Sequence, residues 1–281
     1  MKLLNENRMK RTHGEYFRNL EENRTDKLQS SQWLLKSKIS PQTEAWLAIM
    51  TDRNTFWINE KGCKPCNRTS IDTDHLATLC PRMAAFEYTK RHDEVVKILT
   101  YNALKKYGFE APRRIGNFVF KKDTVIKNGK AKIYCNKLFE TNLKIKERKP
   151  DLVIIDKESK IARIIEVGVT SNKTLMKVED EKLRKYNLLA EEIKFNNNLV
   201  GTECIPVVIS WDGKVTKNFM KRFKHLEMSR CFPFIQYRIL KMTAEIMLQE
   251  NREFYAQRNT RAIERAIEEI HISDEDYNAE K

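Results

Sequence analysis

The stretch KPDLVIIDKESKIARIIEVGVT, residues 149–170, decides the fold. Leu152 to Ile155 is a short apolar run of the kind that forms a buried strand, and Asp156-Lys157-Glu158-Ser159-Lys160 is polar enough to turn the chain back. Ile161 to Val169 is a second apolar run, broken only by Arg163 and Glu166. Two adjacent strands joined by so tight a turn bring Asp151 and Glu166 to neighbouring points on one sheet, although fourteen residues separate them in sequence. Paired carboxylates suit a hard divalent cation, Mg²⁺ especially.

Outward from this pair, the spacing predicts an alternation of helices and strands. Tyr88, Val95, Val96, Leu99, Ala103 and Tyr107 fall at helical spacing over 86–107, and Gly108 supplies the stop. His92 shares the stripe of Val95 and Leu99 and reads as a core histidine. Phe118 to Ile126 and Ala131 to Cys135 flank Asn128-Gly129, which predicts a hairpin with a type I′ turn. Beyond Glu166, Lys173 to Phe195 is expected as one helix, Ile205 to Ser210 as a buried strand and Phe219 to Leu226 as another helix. Helical spacing returns in Phe234, Tyr237, Leu240, Ile246 and Met247, a segment expected to cap the core.

Charge bears on the partner. Lys and Arg number 53 against 39 Asp and Glu, a formal charge of +14, which favours a polyanion. Ten of the cations lie between Lys121 and Lys149, against three acids, so the excess runs into the acidic pair. Lys121, Lys122, Arg148 and Lys149 are the candidate phosphate contacts, which position a duplex without specifying its sequence. Residues 266–281 carry six acids and one Lys, a solvated tail. The start is too polar for a signal peptide and no run approaches a membrane span, so no membrane partner is expected.

Cysteine usage separates into two kinds. Cys135, Cys204 and Cys231 sit singly in apolar or strand-like surroundings and read as small hydrophobes of a reducing compartment. Cys63, Cys66, His75 and Cys80 lie within eighteen residues with gaps of two, eight and four. Cys63 and Cys66 can chelate from one turn through Lys64-Pro65, and His75 and Cys80 complete a tetrahedral set for structural Zn²⁺. The intervening sequence is too polar to fold without such a staple.

The order of elements around Asp151 and Glu166 matches the PD-(D/E)XK nuclease core, an α/β fold, here with a small zinc knuckle and flanking helices. A lysine is normally expected in that core two residues after the second acid, where this chain has Gly168. Lys182 and Lys185, three apart and followed by Tyr186, offer a replacement from the next helix. The chain resembles more specifically the C-terminal part of site-specific non-LTR retrotransposon proteins that carry a restriction-like endonuclease. The resemblance rests on Trp33-Leu34 with Thr43-Glu44, the Cys63-Cys66-His75-Cys80 set, Arg91-His92-Asp93, Lys149-Pro150-Asp151, Glu166, Lys182-Leu183-Arg184-Lys185-Tyr186, and Ile209-Ser210-Trp211 before Gly213. It spans roughly residues 30 to 225. Asp93 stands where the pattern usually has Asn, and Glu166 where many members have Asp.

The resemblance implies four segments: 1–55, a helical linker following a reverse-transcriptase-like region; 56–85, the knuckle; 86–229, the endonuclease core; and 230–281, a helical extension with the acidic tail. It implies a nuclear protein that nicks target DNA to prime reverse transcription, with the element's RNA as a second candidate partner. Asp151 and Glu166 would hold Mg²⁺, while Lys182, with Lys185 as the lesser candidate, would position the attacking water and offset phosphate charge. No reverse-transcriptase catalytic motif is present, so the chain is expected to be part of a polyprotein or a remnant. Two rival readings remain: a catalytically inactive zinc-knuckle nucleic-acid-binding remnant, and a repair or junction-resolving nuclease of the same core.

Overall fold

In a computed structural model, Arg18 and residues 24–36, 39–51, 62–63, 66–69, 72–142 and 144–256 are described. The Lys64-Pro65 turn, the acidic tail and the end of the C-terminal helical stretch lie outside the described residues. The chain is mixed α/β, built on a five-stranded sheet in the order β1-β2-β3-β4-β5. The strands are β1 Thr124–Lys127, β2 Ala131–Cys135, β3 Leu152–Asp156, β4 Ile161–Thr170 and β5 Gly201–Ser210. β1 to β4 form an antiparallel meander, and β5 joins β4 in parallel. The helices that position the site are α1 Pro41–Thr51, α2 Thr89–Lys106, α3 Leu175–Arg184, α4 Asn187–Asn196, α5 Phe219–Phe223 and α6 Phe232–Ala256.

The alternation of side chains along a strand divides the sheet between two apolar layers. Leu152, Ile154, Ile165, Val167 and Val207 pack with Val95 and Leu99 of α2 and with Phe232 and Ile235 of α6. Val153, Ile155, Ala162 and Ile164 point the other way, onto Tyr186 and onto Leu189, Ala190 and Ile193 of α4. With both faces covered, β3 is buried throughout except at Asp156, which is why it reads as a continuous apolar run. A third cluster joins Trp33, Leu47, Cys63, Cys80, Trp211 and Leu240, so the knuckle shares apolar packing with the end of β5 and with α6. Among the described residues no helix is long and apolar enough to cross a membrane.

Several expectations hold in detail. Gly108, at φ +70°, ends the helical run, with the Phe109 N–H bonding to Leu104 O at 2.9 Å. Asp156 makes the β3–β4 turn by accepting the N–H groups of Glu158 and Ser159, both at 3.0 Å. Cys135 and Cys231 are buried and Cys204 is half-buried.

Other expectations are corrected. The β1–β2 hairpin forms, but neither Asn128 nor Gly129 has the positive φ that a type I′ turn demands. Instead the Asn128 carboxamide oxygen accepts from the N–H groups of Lys130 and Ala131, at 2.8 and 2.9 Å, and closes the turn itself. Only 124–126 of the expected 118–126 strand pairs, with Lys127 added at its end, because Asp123 at φ 59° turns the preceding residues off the sheet edge. The single helix expected over 173–195 is two helices, broken at Lys185-Tyr186 with no Gly or Pro there. Tertiary contact makes that break: Tyr186 is buried against the sheet and its hydroxyl donates to Lys149 O at 2.9 Å.

Candidate active site and metal centre

The β3–β4 register pairs Leu152 with Ile165, so Asp151 enters β3 across from Glu166. Both acids are largely buried, Asp151 at 8% and Glu166 at 5% exposure. Asp151 Oδ2 accepts the Val167 N–H at 2.8 Å, a bond from one strand's backbone to the other strand's acid. Lys182 and Lys185 both donate to Glu166 Oε1, at 3.1 and 2.7 Å. Glu166 Oε2 is buried and has no hydrogen-bond partner among the described residues. A buried carboxylate oxygen left open in this way is costly unless something of positive charge meets it.

Gly168 explains how Lys182 reaches the acid. A Cβ placed on Gly168 would lie 2.8 Å from Lys182 Cε and 3.3 Å from Cδ, so the lysine stem occupies the space above the glycine. The position two residues after Glu166, which the nuclease pattern gives to a lysine, is thus covered by a lysine from α3. Lys185 arrives differently, from the break between α3 and α4, and lies 3.9 Å from Glu147 as well.

His92 departs from its expected place. Rather than remaining in the Val95–Leu99 stripe, it sets Nε2 3.1 Å from Asp151 Oδ2 and Nδ1 3.3 Å from Asp93 Oδ1. Burial alone would lower its pKa, but the hydrogen bond and charge of Asp151, with help from Asp93, raise it above the ordinary histidine value. Burial likewise pushes the Asp151 carboxyl upward. The His92 hydrogen bond and charge, the Val167 N–H and the Lys182 ammonium outweigh it and hold the group below the usual carboxylate range. Helical periodicity could not show this, because His92 lies at the edge of the apolar stripe, in the first turns of α2, with Asp151 fifty-nine residues away.

Of the candidate cations, Lys121, Lys122, Arg148 and Lys149 are all exposed. Lys122 pairs with Asp93 and so reaches the His92 side of the site. Lys149 is held beside it through its carbonyl, which Tyr186 grips.

The second centre is the knuckle. Ligand atoms of Cys63, Cys66, His75 and Cys80 all lie within 4.8 Å of one another, and the group could hold a metal ion. Cys63 Sγ and Cys80 Sγ are 3.6 Å apart, and Cys66 Sγ and His75 Nε2 are 3.4 Å apart. A tetrahedron with zinc–sulfur bonds of about 2.3 Å has edges of about 3.8 Å, so the cluster fits zinc. Burial pushes the Cys63 thiol up to about 12, so an incoming ion must displace a tightly held proton. Burial, followed by Arg68, lowers the pKa of His75 and favours the neutral imidazole that a metal needs.

The cluster is fastened on several sides. The Tyr88 hydroxyl lies 3.0 Å from His75 O and 2.8 Å from Leu76 O, and accepts the Cys80 N–H at 3.1 Å. Trp211 Nε1, just past β5, donates to Asp74 Oδ1 at 2.7 Å. No protein-family model matches this chain, and no curated protein matches its sequence.

Proposed function

We propose that the chain is the zinc-knuckle and restriction-like endonuclease region of a site-specific non-LTR retrotransposon protein, with a PD-(D/E)XK core that nicks target DNA in the nucleus. The observation that carries the reading is the convergence on Glu166: a buried acid beside Asp151, one oxygen open, and Lys182 reaching the other across Gly168. That is the acid, acid and lysine set of the nuclease core, with the lysine supplied from α3.

Asp151 and Glu166 would hold Mg²⁺, which when bound supplies positive charge to the scissile phosphate and acidifies a water. His92 and the Val167 N–H fix the rotamer of Asp151, and Lys185 anchors Glu166. The Lys182 ammonium, 3.1 Å from Glu166, is placed to orient the attacking water and to offset charge on the phosphate. Lys121, Lys122, Arg148 and Lys149 supply exposed cations for the duplex backbone. The knuckle, filled with zinc, holds its own loop in place and offers a further nucleic-acid contact.

A nicking assay on supercoiled plasmid tests the reading. Open circles should accumulate with Mg²⁺ and not with EDTA. Tight plasmid binding without nicking, in any divalent cation, would leave the binding-remnant reading instead. The pairing of Glu166 Oε1 with two lysines, which balances its charge without any metal, is the observation that favours that rival.

A further inference from the structure

The knuckle and the acid pair meet through two consecutive residues near the start of α2. Arg91, 1% exposed, donates from one terminal nitrogen to Ala77 O and from the other to Thr243 Oγ1 of α6, both at 2.6 Å. Its Nε has no hydrogen-bond partner among the described residues, so a buried cation rests on two neutral acceptors and on the Tyr88 ring, 5.4 Å away. Ala77 lies two residues beyond the ligand His75, in the same helical turn. The next residue after Arg91 is His92, whose Nε2 meets Asp151.

We propose that an ion held by Cys63, Cys66, His75 and Cys80 and a divalent cation held by Asp151 and Glu166 strengthen each other's binding, with Arg91 and His92 as the positioning residues that couple them. The coupling rests on the reading of the acid pair as a cation site. A chelating segment loses its order when its ion leaves. The Ala77 carbonyl is then withdrawn, and a buried guanidinium that loses one of two acceptors must move to find another. The turn of α2 that carries Arg91 also carries His92. Once His92 shifts, Asp151 Oδ2 keeps the Val167 N–H but loses the side chain that fixes its orientation. Loss of such a partner to a metal-binding side chain typically weakens metal affinity by roughly 10- to 100-fold. Linkage makes the effect reciprocal: a cation on the acid pair must tighten the knuckle's hold by the same factor.

The test uses the full chain with Mn²⁺ as the acid-pair probe, its free concentration read by electron paramagnetic resonance. Stripping zinc with a zinc-selective chelator should weaken Mn²⁺ binding about 10-fold while the sheet's circular dichroism persists. Saturating Mn²⁺ should raise by a similar factor the chelator concentration needed to empty the knuckle. His92→Ala, which breaks the link at a partly buried position, should bind Mn²⁺ as weakly as zinc-stripped wild type whether or not the knuckle is loaded. Arg91→Lys keeps the buried charge but cannot span both acceptors, and should weaken the coupling in part. Mn²⁺ affinity that ignores knuckle loading, or coupling that survives His92→Ala intact, overturns the proposal. Wild type that binds no Mn²⁺ removable by Asp151→Asn would overturn it together with the cation-site reading, whereas binding without cross-talk overturns the coupling alone.

Discussion

The knuckle and the acid pair are both candidate ion sites, yet they are assembled in opposite ways. The knuckle draws its four ligands from eighteen consecutive residues, and its soft sulfur and imidazole donors all lie within 4.8 Å of one another. The acid pair is gathered from α2, the start of β3, the middle of β4, the end of α3 and the α3–α4 break. One site takes all its ligands from a single short segment; the other exists only when the sheet and its covering helices have packed. Damage to the knuckle should therefore change metal content and local order first and reach the acid pair only through Arg91 and His92, whereas damage to the acid pair should change chemistry on an intact fold.

The largest expected effect breaks the local site. Cys66→Ser should abolish the one equivalent of zinc per chain, measured by metal analysis, and expose 62–80 to proteolysis while β2 to β5 persist. Zinc retained at full stoichiometry would remove the knuckle from the account. At the distributed site, Glu166→Gln keeps the shape but lowers the charge offered to a cation, and nicking should fall by at least roughly 100-fold with duplex affinity changed only a few-fold.

A finer contrast separates the two lysines. Lys182→Ala should slow nicking more than Lys185→Ala, and the reverse order would make Lys185 the functional lysine. Gly168→Ala should mimic the first in milder form. Its Cβ would collide with the flexible end of Lys182 rather than with backbone, so the lysine swings away from Glu166 at little cost in melting temperature. A marked loss of stability with unchanged nicking would contradict that placement.

The smallest effect lies in the turn that sets the pair in register. Asp156 is buried enough to raise its pKa, but the N–H groups of Ser159 and Glu158 and the Tyr107 hydroxyl outweigh burial and lower it. A lowered pKa means stability that is present above the ordinary carboxylate range and lost as pH falls through the folded value. Asp156→Ala should therefore cost about 1 kcal/mol at neutral pH, and its gap from wild type should close in acid. A gap independent of pH would mean that the carboxylate charge does not support the turn.

The same contrast explains what could be read from sequence. The knuckle was legible because chelation by CxxC and a nearby His and Cys imposes spacing on a short segment. The Asp151–Glu166 pair was legible because one tight turn between two apolar runs fixes which residues meet. Lys182 and Lys185 were legible as a lysine pair on the right stretch, but not their convergence on one oxygen, which depends on the helix break at Tyr186. His92 was misplaced because a helical stripe tells which side faces the core, not which distant strand end a side chain will reach. The type I′ turn failed for a local reason: the Asn128 side chain closes the hairpin by another route.

Asp151→Asn gives the most direct measurement. In protein freed of contaminating nuclease, wild type should nick supercoiled plasmid with Mg²⁺. The variant, isosteric but with a neutral ligand, should nick at least roughly 100-fold more slowly while binding the same plasmid within a few-fold. Equal nicking by the two proteins would contradict the assignment of Asp151 and Glu166 as the cutting site.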